Sequence, residues 1–302
     1  MRAVALHRDV LVVTSQLLQA HCTLVRGPGD AADVEVPGGG GFESEGLLVS
    51  THGPGETGAG GESFAIDSPV LPEELELLPA LVEQAGFPKP QGLLATHADW
   101  DHVLGPLAFP EATLGCAEST AERLRAEPGA AQRELRDFDE ELVIERPRPL
   151  ALGGVQALPV PGRCAVGAGE LELHPATGHT GDGMAIWIPW ARVLVSGDYV
   201  SDVELPVLRA DEPWLQATGY PPGNALEEYL ATLERLRPLV AAAEHVVPGH
   251  GAILDRERAL GVLEEDRVYL QALRERGVEA ELPPGRRSKT QRELHAQNVA
   301  RL

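Results

Sequence analysis

The chain has little positive charge. Its 302 residues include 46 aspartates and glutamates but only 25 lysines and arginines, so the formal net charge is −21 at pH 7. Binding to nucleic acid normally needs a basic surface, which displaces the cations condensed around the phosphates. An acidic surface also repels anionic lipid. The charge balance therefore argues against nucleic acid and against membranes as partners.

Cysteine and long apolar runs are also scarce. The three cysteines, Cys22, Cys116 and Cys164, are scattered and odd in number, which argues against a disulfide framework or a zinc knuckle. We expect them to be small buried side chains in a reducing compartment. The apolar run at residues 10–13 is too short for a signal peptide, and no stretch is long enough to span a bilayer. We therefore expect a cytoplasmic protein.

Glycine, in contrast, is abundant between residues 27 and 62. The segment contains four consecutive glycines at 38–41 and one apolar patch at 47–49. Because glycine-rich backbone loses much conformational entropy on ordering, we predict a flexible insertion with one hairpin inside it. A mobile lid over a functional site is the alternative. No Gly-Lys-Ser/Thr follows the glycines, so the segment is not a phosphate-binding loop.

Hydrophobic periodicity indicates a mixed α and β chain. Strands are predicted at residues 10–13, 16–25, 64–67, 92–95, 112–116, 150–160, 170–174, 184–188, 193–195 and 245–247. Helices are predicted at residues 72–86, 101–108, 119–126, 130–141, 225–236, 256–276 and 287–302. Pro79 should kink the first helix or divide it in two. No repeat of fixed period is present.

The most concentrated group of polar side chains follows the apolar strand at 92–95, in the run Thr96-His97-Ala98-Asp99-Trp100-Asp101-His102. Imidazole and carboxylate groups at the end of a strand are held by rigid backbone, which suits a metal site. A polar turn that caps the next helix is the alternative. Three later motifs favour the metal site, because each places one ligand-type residue beside glycine after an apolar run. They are Gly178-His179-Thr180-Gly181, Ser196-Gly197-Asp198 and Pro248-Gly249-His250-Gly251.

These four motifs resemble those of the metallo-β-lactamase-fold hydrolases, whose pattern is His-x-His-x-Asp-His, then a His, an Asp and a final His. The order and approximate spacing agree over most of the chain, but Asp99 stands where most of the family has its second His. The resemblance implies an α+β fold, the four-layer αββα sandwich. We expect a catalytic domain at residues 1–260, which includes the insertion at 27–62. A C-terminal helical extension at 261–302 should pack on the same domain.

The resemblance also implies two divalent metal ions, with zinc expected first and iron or manganese as alternatives. The implied ligands are His97, Asp99 and His179 for one metal, Asp101, His102 and His250 for the other, and Asp198 as the bridge. A bridging water would lose a proton near neutral pH and become the nucleophile. Asp101 and Tyr199 are the catalytic candidates. Tyr199 would either hydrogen-bond a substrate oxygen or pack beside the site.

Other polar side chains have less certain roles. Asp67 follows a strand and would either support the metal-binding loop or cap a turn. Asp202 and Glu204 are weaker candidates for substrate contact. His295, in the basic terminal helix, is expected at the surface and not at the mouth of the site.

Three functions are compatible with these motifs. The first is hydrolysis of an ester, thioester or lactone by a metal-dependent enzyme acting on a small molecule, with a homodimer as a candidate assembly. The second is a di-iron protein acting on oxygen or another small oxidant, because flavodiiron proteins share the fold and have a carboxylate at the position of Asp99. No flavin-binding domain follows His250, however. The third is a phosphodiesterase or nuclease of the same fold, which the acidic charge disfavours.

The aspartate at position 99 leads to a further prediction. With Asp99, Asp101 and Asp198 as ligands, two divalent metals and one hydroxide would be formally neutral. A neutral cluster should attract anions less and activate water less, which favours neutral esters or lactones. Asp99→His should then lower the apparent pKa of the pH–rate profile and raise zinc occupancy. The alternative is that Asp99 is too short to reach a metal.

Overall fold

The computed structural model describes residues 1–29, 61–209 and 224–302, together with the backbone of two short strands between the first two ranges. The strands are β1 (Arg2–His7), β2 (Val10–Thr14), β3 (His21–Arg26), β4 (Phe42–Ser44), β5 (Leu47–Val49), β6 (Ser63–Ile66), β7 (Gly92–Leu94), β8 (Thr113–Ala117), β9 (Val155–Leu158), β10 (Gly162–Val166), β11 (Gly169–Pro175), β12 (Met184–Ile188), β13 (Val193–Gly197), β14 (His245–Pro248) and β15 (Leu254–Asp255). The helices are α1 (Pro72–Gln84), α2 (Gly105–Ala108), α3 (Glu118–Ala126), α4 (Ala130–Leu142), α5 (Ala225–Ala242), α6 (Arg256–Arg276) and α7 (Lys289–Ala300). Two 3₁₀ turns cover Trp100–His102 and Gly277–Glu279.

Two sheets form the centre of the fold. One has the order β1-β2-β3-β6-β7-β8-β9 and the other β10-β11-β12-β13-β14-β15. Within the first sheet β6, β7, β8 and β9 are parallel neighbours, and within the second β13 and β14 are parallel. Parallel neighbours have their carboxyl ends at the same sheet edge, so the loops that follow them lie close together. Strands β4 and β5 pair as the hairpin predicted inside the glycine-rich insertion. The predicted flexibility of that insertion concerns residues that lie mostly outside the described ranges.

Alternating apolar side chains place the two sheets face to face. In β2, Val10 and Val12 pack between the sheets, whereas Leu11 and Val13 face the helices outside the first sheet. Successive side chains of a strand point to opposite faces of the sheet. Because both faces of this sheet are covered, β2 is a continuous apolar run. In β13, Val193 and Val195 likewise point to the intersheet core.

Three apolar cores therefore separate four layers. Helices α1 to α4 pack on the first sheet, the two sheets pack on each other, and α5 and α6 pack on the second sheet. The predicted four-layer αββα sandwich is confirmed. Within the described ranges, no helix combines the length and the apolar character needed to cross a bilayer.

Several local predictions need correction. Helix α1 is a single helix that includes Pro79, so the predicted division in two does not occur; burial of Leu75, Leu78 and Val82 offsets the one hydrogen bond that proline removes. Residues 101–108 form a 3₁₀ turn and a short helix instead of one helix.

The C-terminal part of the chain is continuous with the rest of the fold. The predicted boundary at residue 260 falls inside α6, whose Val262 and Leu270 are part of the same apolar core as α5 and the second sheet. The expected surface position of His295 is wrong. Its side chain is buried, and its Nδ1 lies 3.0 Å from the hydroxyl oxygen of Tyr269.

Candidate metal centre

The predicted ligands lie at one edge of the sandwich, where strands from both sheets end. The run from His97 to His102 follows β7, Asp198 follows β13 and His250 follows β14, while His179 lies in the connection between β11 and β12. A backbone hydrogen bond of 2.7 Å from Met184 to the carbonyl of Thr96 joins the two sheets beside the site. The structure thus brings together all seven predicted ligands from four separate loops.

Four donor atoms form the first cluster. The Nε2 atom of His179 lies 3.2 Å from Asp198 Oδ2 and 3.7 Å from Asp99 Oδ2. The Nε2 atom of His97 lies 3.6 Å from the same Asp99 oxygen and 3.7 Å from the same Asp198 oxygen. Asp99 therefore reaches the first cluster, contrary to the alternative that its side chain is too short.

The second cluster has the same form and uses the other oxygen of Asp198. That Oδ1 atom lies 3.2 Å from His102 Nε2 and 3.6 Å from His250 Nε2. Asp101 Oδ2 completes the cluster, 3.2 Å from His250 Nε2 and 3.9 Å from His102 Nε2. Asp198 is consequently shared, with one oxygen in each cluster.

These spacings suit two metal ions. Ligand atoms about 2.0–2.2 Å from a tetrahedral metal lie about 3.3–3.6 Å from one another, close to the separations in both clusters. Within the described residues, the Nε2 atoms of His97, His102 and His179 and the Oδ1 atom of Asp198 are buried without a hydrogen-bond partner. Buried polar atoms are normally hydrogen-bonded, so these four atoms have the character of metal donors. The residues present therefore fit a dinuclear centre.

The electrostatics also favour cations at this site. Burial by itself lowers the pKa of His250, but the nearby carboxylates of Asp198 and Asp101 raise it to about 10. Burial likewise opposes protonation of His179, yet Asp198 and Asp99 raise its pKa to about 9. Without metal, the carboxylates hold protons on the imidazoles. Metal binding would replace those protons.

Neighbouring groups orient the imidazoles. Asp67 Oδ2 lies 3.0 Å from His102 Nδ1, and the same carboxylate accepts from the backbone amide and the hydroxyl of Thr96. Asp67 therefore supports the metal-binding loop, the first of its two predicted roles. Its left-handed backbone, with φ of 56°, is an unfavourable conformation that these contacts stabilise. On the other side of the site, His250 Nδ1 lies 3.1 Å from the carbonyl oxygen of Leu18.

Two arginines that the sequence did not reveal bind Asp99. Arg123 Nη2 donates to Asp99 Oδ1 at 2.9 Å, and Arg209 donates to both Asp99 oxygens. Burial by itself raises the pKa of Asp99, but Arg209 and His97 hold it well below the ordinary value. The two guanidinium groups place positive charge next to Asp99, which the predicted electroneutral centre did not include, although Arg123 also pairs with Asp182.

The structure gives Tyr199 a supporting position. Its hydroxyl oxygen accepts the backbone N–H of His179 at 3.0 Å, and its side chain is buried. Burial raises the pKa of its hydroxyl far above the ordinary value. These contacts favour the alternative that Tyr199 packs beside the site over direct contact with substrate. Tyr229, which the sequence did not reveal, donates from its hydroxyl to the carbonyl of Asp198 at 3.1 Å.

Asp202 and Glu204 occupy different environments. Asp202 Oδ1 accepts the backbone N–H of Ala252, so it fixes the loop after His250. Glu204 places a carboxylate oxygen within 4.8 Å of ligand atoms of both Asp198 and His250. Of these two weaker candidates, Glu204 is the one that faces the second cluster.

Comparisons with known proteins agree with this architecture. The sequence profile of the Metallo-beta-lactamase superfamily matches residues 16–250. No curated protein matches the chain. A metallo-beta-lactamase family protein from Thermus thermophilus superposes with a TM-score of 0.62 at 18% identity, over 99% of this chain and 93% of that one. A beta-lactamase domain protein from Burkholderia ambifaria gives 0.60 at 18% identity, over 99% and 87%.

A third similar structure is a double mutant of the sec-alkyl sulfatase PisA1, with a TM-score of 0.59 at 14% identity. The match covers 91% of this chain but 42% of that protein. At such identities the likeness shows the fold alone. The αββα fold, together with the buried clusters of His and Asp, places this protein in the class of hydrolase-type folds with candidate metal-binding residues. The chain belongs to the metallo-beta-lactamase superfamily.

Proposed function

We propose that this protein is a dinuclear metal-dependent hydrolase that acts on an ester, thioester or lactone of a small molecule in the cytoplasm. The observation that supports the proposal is the pair of donor clusters that share Asp198, with buried ligand atoms that have no hydrogen-bond partner among the described residues. When bound, the two ions would activate a water molecule and polarise the substrate oxygen. Zinc is the first expectation, and iron or manganese are the alternatives.

The chain's own residues would hold and orient this centre. Asp198 would help to hold both ions, because its carboxylate supplies one oxygen to each cluster. Asp67 would keep His102 oriented with its Nε2 atom towards the second ion. Asp101 is proposed both as a ligand of the second ion, with His102 and His250, and as a catalytic residue. Glu204 would form part of the wall beside the second ion.

The revised charge balance widens the range of substrates to be tested. Asp99 contributes a negative charge, but Arg123 and Arg209 contact the same carboxylate. A nearby positive charge of this kind removes the reason to exclude anionic substrates. Carboxylic esters, thioesters and lactones remain our proposal. Phosphodiesters and sulfate esters belong in the same panel, because this fold also occurs in a sec-alkyl sulfatase.

Elemental analysis of protein purified without added metal tests the first part of the proposal. We expect about two ions per chain and a reduced content in His102→Ala and in His179→Ala. His7→Ala is the matched control, because this half-buried histidine lies in β1 next to Asp9 and outside both clusters. Wild-type protein that binds no transition metal would refute the proposal. Full metal content in His179→Ala would remove that residue from the first site.

Activity measurements then separate the candidate reactions. The metal-loaded protein should hydrolyse at least one carboxylic ester, thioester or lactone, and Asp101→Asn should lower that rate by about a hundredfold or more. A coloured, iron-loaded protein that consumes oxygen and hydrolyses none of the panel would support the di-iron alternative. Turnover confined to phosphodiesters would support the third candidate function.

A further inference from the structure

The carboxylate of Asp99 is held by two guanidinium groups. Its Oδ1 atom accepts from Arg123 Nη2 at 2.9 Å and from Arg209 Nη1 at 3.0 Å, and Arg209 Nη2 lies 2.8 Å from Oδ2. A short, freely rotating carboxylate would present either oxygen to a metal. Oδ1 thus receives two guanidinium contacts and Oδ2 receives one, and Oδ2 is the oxygen that also lies next to His97 and His179.

Arg123 is itself fixed by a second carboxylate. Its Nη1 atom donates to Asp182 Oδ1 at 2.9 Å, and Asp182 Oδ2 accepts the backbone N–H of Ala98 at 3.0 Å. The guanidinium and both carboxylates are buried. A buried arginine between two acids is rigid, because removing either partner would leave an unpaired charge out of water. One side of Asp99 is thus anchored to the loop that bears it.

Arg209 reaches Asp99 from a segment that the C-terminal helix α7 holds in place. Gln291 Oε1 accepts the backbone N–H of Leu205 at 2.8 Å. Asn298 Oδ1 accepts the backbone N–H of Leu208 at 3.0 Å, and its Nδ2 donates to the carbonyl of Pro206 at 2.6 Å.

The two amide side chains lie on one buried face of α7. Positions 291 and 298 are seven residues apart, which places them on the same side of a helix. Asn298 has no exposed surface, and its Nδ2 also donates to the hydroxyl of Tyr269 in α6. Helix α7 therefore binds residues 205–208 through Gln291 and Asn298, and Asn298 is itself fixed by Tyr269 of α6.

We propose that α7 is a positioning element of the first metal site. It fixes residues 205–208, these place Arg209, and Arg209 together with Arg123 orients Asp99 as a ligand through one oxygen. The inference rests on the proposed metal-binding function. It assigns a role to the C-terminal extension and explains how an aspartate serves where most of the family has a histidine.

The proposal reverses the expectation for Asp99→His. An imidazole at position 99 would leave Arg123 and Arg209 facing a group that cannot accept two guanidinium donors. We therefore expect Asp99→His to lose metal from one site instead of gaining zinc. Asp99→His combined with Arg209→Leu should recover part of that loss, since one of the two opposing charges is removed.

The test measures metal content and dissociation constants in the full-length chain by competition with a chromophoric zinc chelator. Arg209→Ala should weaken the binding of one of the two zinc ions by about tenfold to a hundredfold and leave the other unchanged. Asn298→Ala and Gln291→Ala should act in the same direction. Arg292→Ala is the matched control, because Arg292 is exposed on another face of α7. Circular dichroism and thermal unfolding establish that each variant is folded.

The possible results are distinct. A folded Arg209→Ala that binds both zinc ions as tightly as wild type refutes the arginine contribution. If Arg209→Ala weakens zinc binding but Asn298→Ala and Gln291→Ala bind zinc as tightly as wild type, α7 does not position Arg209. Arg209 is partly exposed, with 33% of its side chain accessible, so we expect Arg209→Ala to fold. This variant therefore tests the proposal even if the variants of the buried amides do not fold. Wild-type protein that binds no zinc overturns the proposed function itself.

Discussion

Gly249 shows how closely one residue limits the space at the centre. A Cβ atom at this position would lie 2.0 Å from Asp198 Oδ1 and 2.8 Å from His102 Cε1. We therefore predict that Gly249→Ala displaces the shared carboxylate and weakens zinc binding by at least tenfold. Metal content and zinc affinity measure the effect. Gly153→Ala, where an added Cβ meets no atom within 4 Å, is the control. Unchanged zinc affinity in Gly249→Ala would mean that Asp198 is not a shared ligand.

Replacement of Tyr199 distinguishes a positioning role of this residue from a catalytic one. Its hydroxyl accepts the backbone N–H of His179, so Tyr199→Phe should cost about 1 kcal/mol of stability and keep turnover within a few-fold of wild type. Urea unfolding and steady-state kinetics on the best substrate of the panel measure both. A hundredfold fall in kcat with normal metal content and fold would instead restore Tyr199 as a catalytic residue.

His21 predicts a pH dependence of stability. Burial lowers its pKa to about 4, and its Nδ1 lies 2.7 Å from the carbonyl oxygen of Pro248. The unfolded chain titrates near 6.5, so the unfolded state binds more protons between these values. The contribution of neutral His21 to the free energy of unfolding is therefore complete above pH 6.5. It falls by up to about 3 kcal/mol as the pH approaches 4.

Replacing His21 by glutamine should remove that part of the acid sensitivity. Free energies of unfolding from urea titrations of the metal-free protein, at pH values between 4 and 8, measure the slope for both proteins. The difference between wild type and His21→Gln isolates His21 from the other groups that titrate. Parallel curves for the two proteins would contradict the assignment.

At the scale of the element, the start of α6 is fixed by a local feature of the sequence, an aspartate at the N-cap. Asp255 Oδ1 accepts the backbone N–H of Arg258 at 2.8 Å, as an N-cap does. Asp255→Ala should destabilise the protein by about 1 kcal/mol, while Asp255→Asn, which keeps an acceptor oxygen, should cost less. Urea unfolding gives the comparison. Because the cap lies away from the clusters, zinc affinity should stay unchanged, and a loss of metal would mean that α6 affects the centre directly.

Several helices and strands end where the hydrophobic periodicity predicts, because local sequence signals and tertiary packing favour the same ends there. Helix α6 spans the predicted 256–276, and its ends follow from the aspartate cap and from Gly277. The strand β1 was not predicted, since its residues are only partly buried. The helix predicted at 225–236 continues to Ala242 through Pro238 because Val240 and Ala243 are buried against the second sheet.

At the scale of the whole molecule, metal should stabilise the fold. The candidate ligands come from loops of both sheets, so residues that follow β7 and β13 would hold a bound ion together. A ligand present at a thousandfold excess over its Kd stabilises the native state by about 4 kcal/mol. We expect chelation to lower Tm by several degrees and zinc to restore it. Calorimetry with and without chelator measures the change, with His102→Ala and His179→Ala as variants in which it should be smaller. An identical Tm in both conditions would contradict a metal that bridges the sheets.

The amino-acid sequence by itself determined the candidate ligand motifs and the fold class. The donors at 97–102 are contiguous, and the other three motifs each combine an apolar strand with glycine, so local patterns identify them. The cysteines illustrate the same point. Cys22 and Cys116 are buried free thiols as predicted, although Cys164 is partly exposed.

Only the tertiary structure decided which groups surround the donors. Arg123 and Arg209 lie 24 and 110 positions from Asp99, and Leu18 lies 232 positions from His250. No periodicity connects residues so far apart, because their contacts depend on how two sheets and α7 pack against each other. The charge of the centre therefore could not be inferred from its ligands alone. Packing brings guanidinium groups to Asp99, and that contact sets both the direction and the ionisation of its carboxylate.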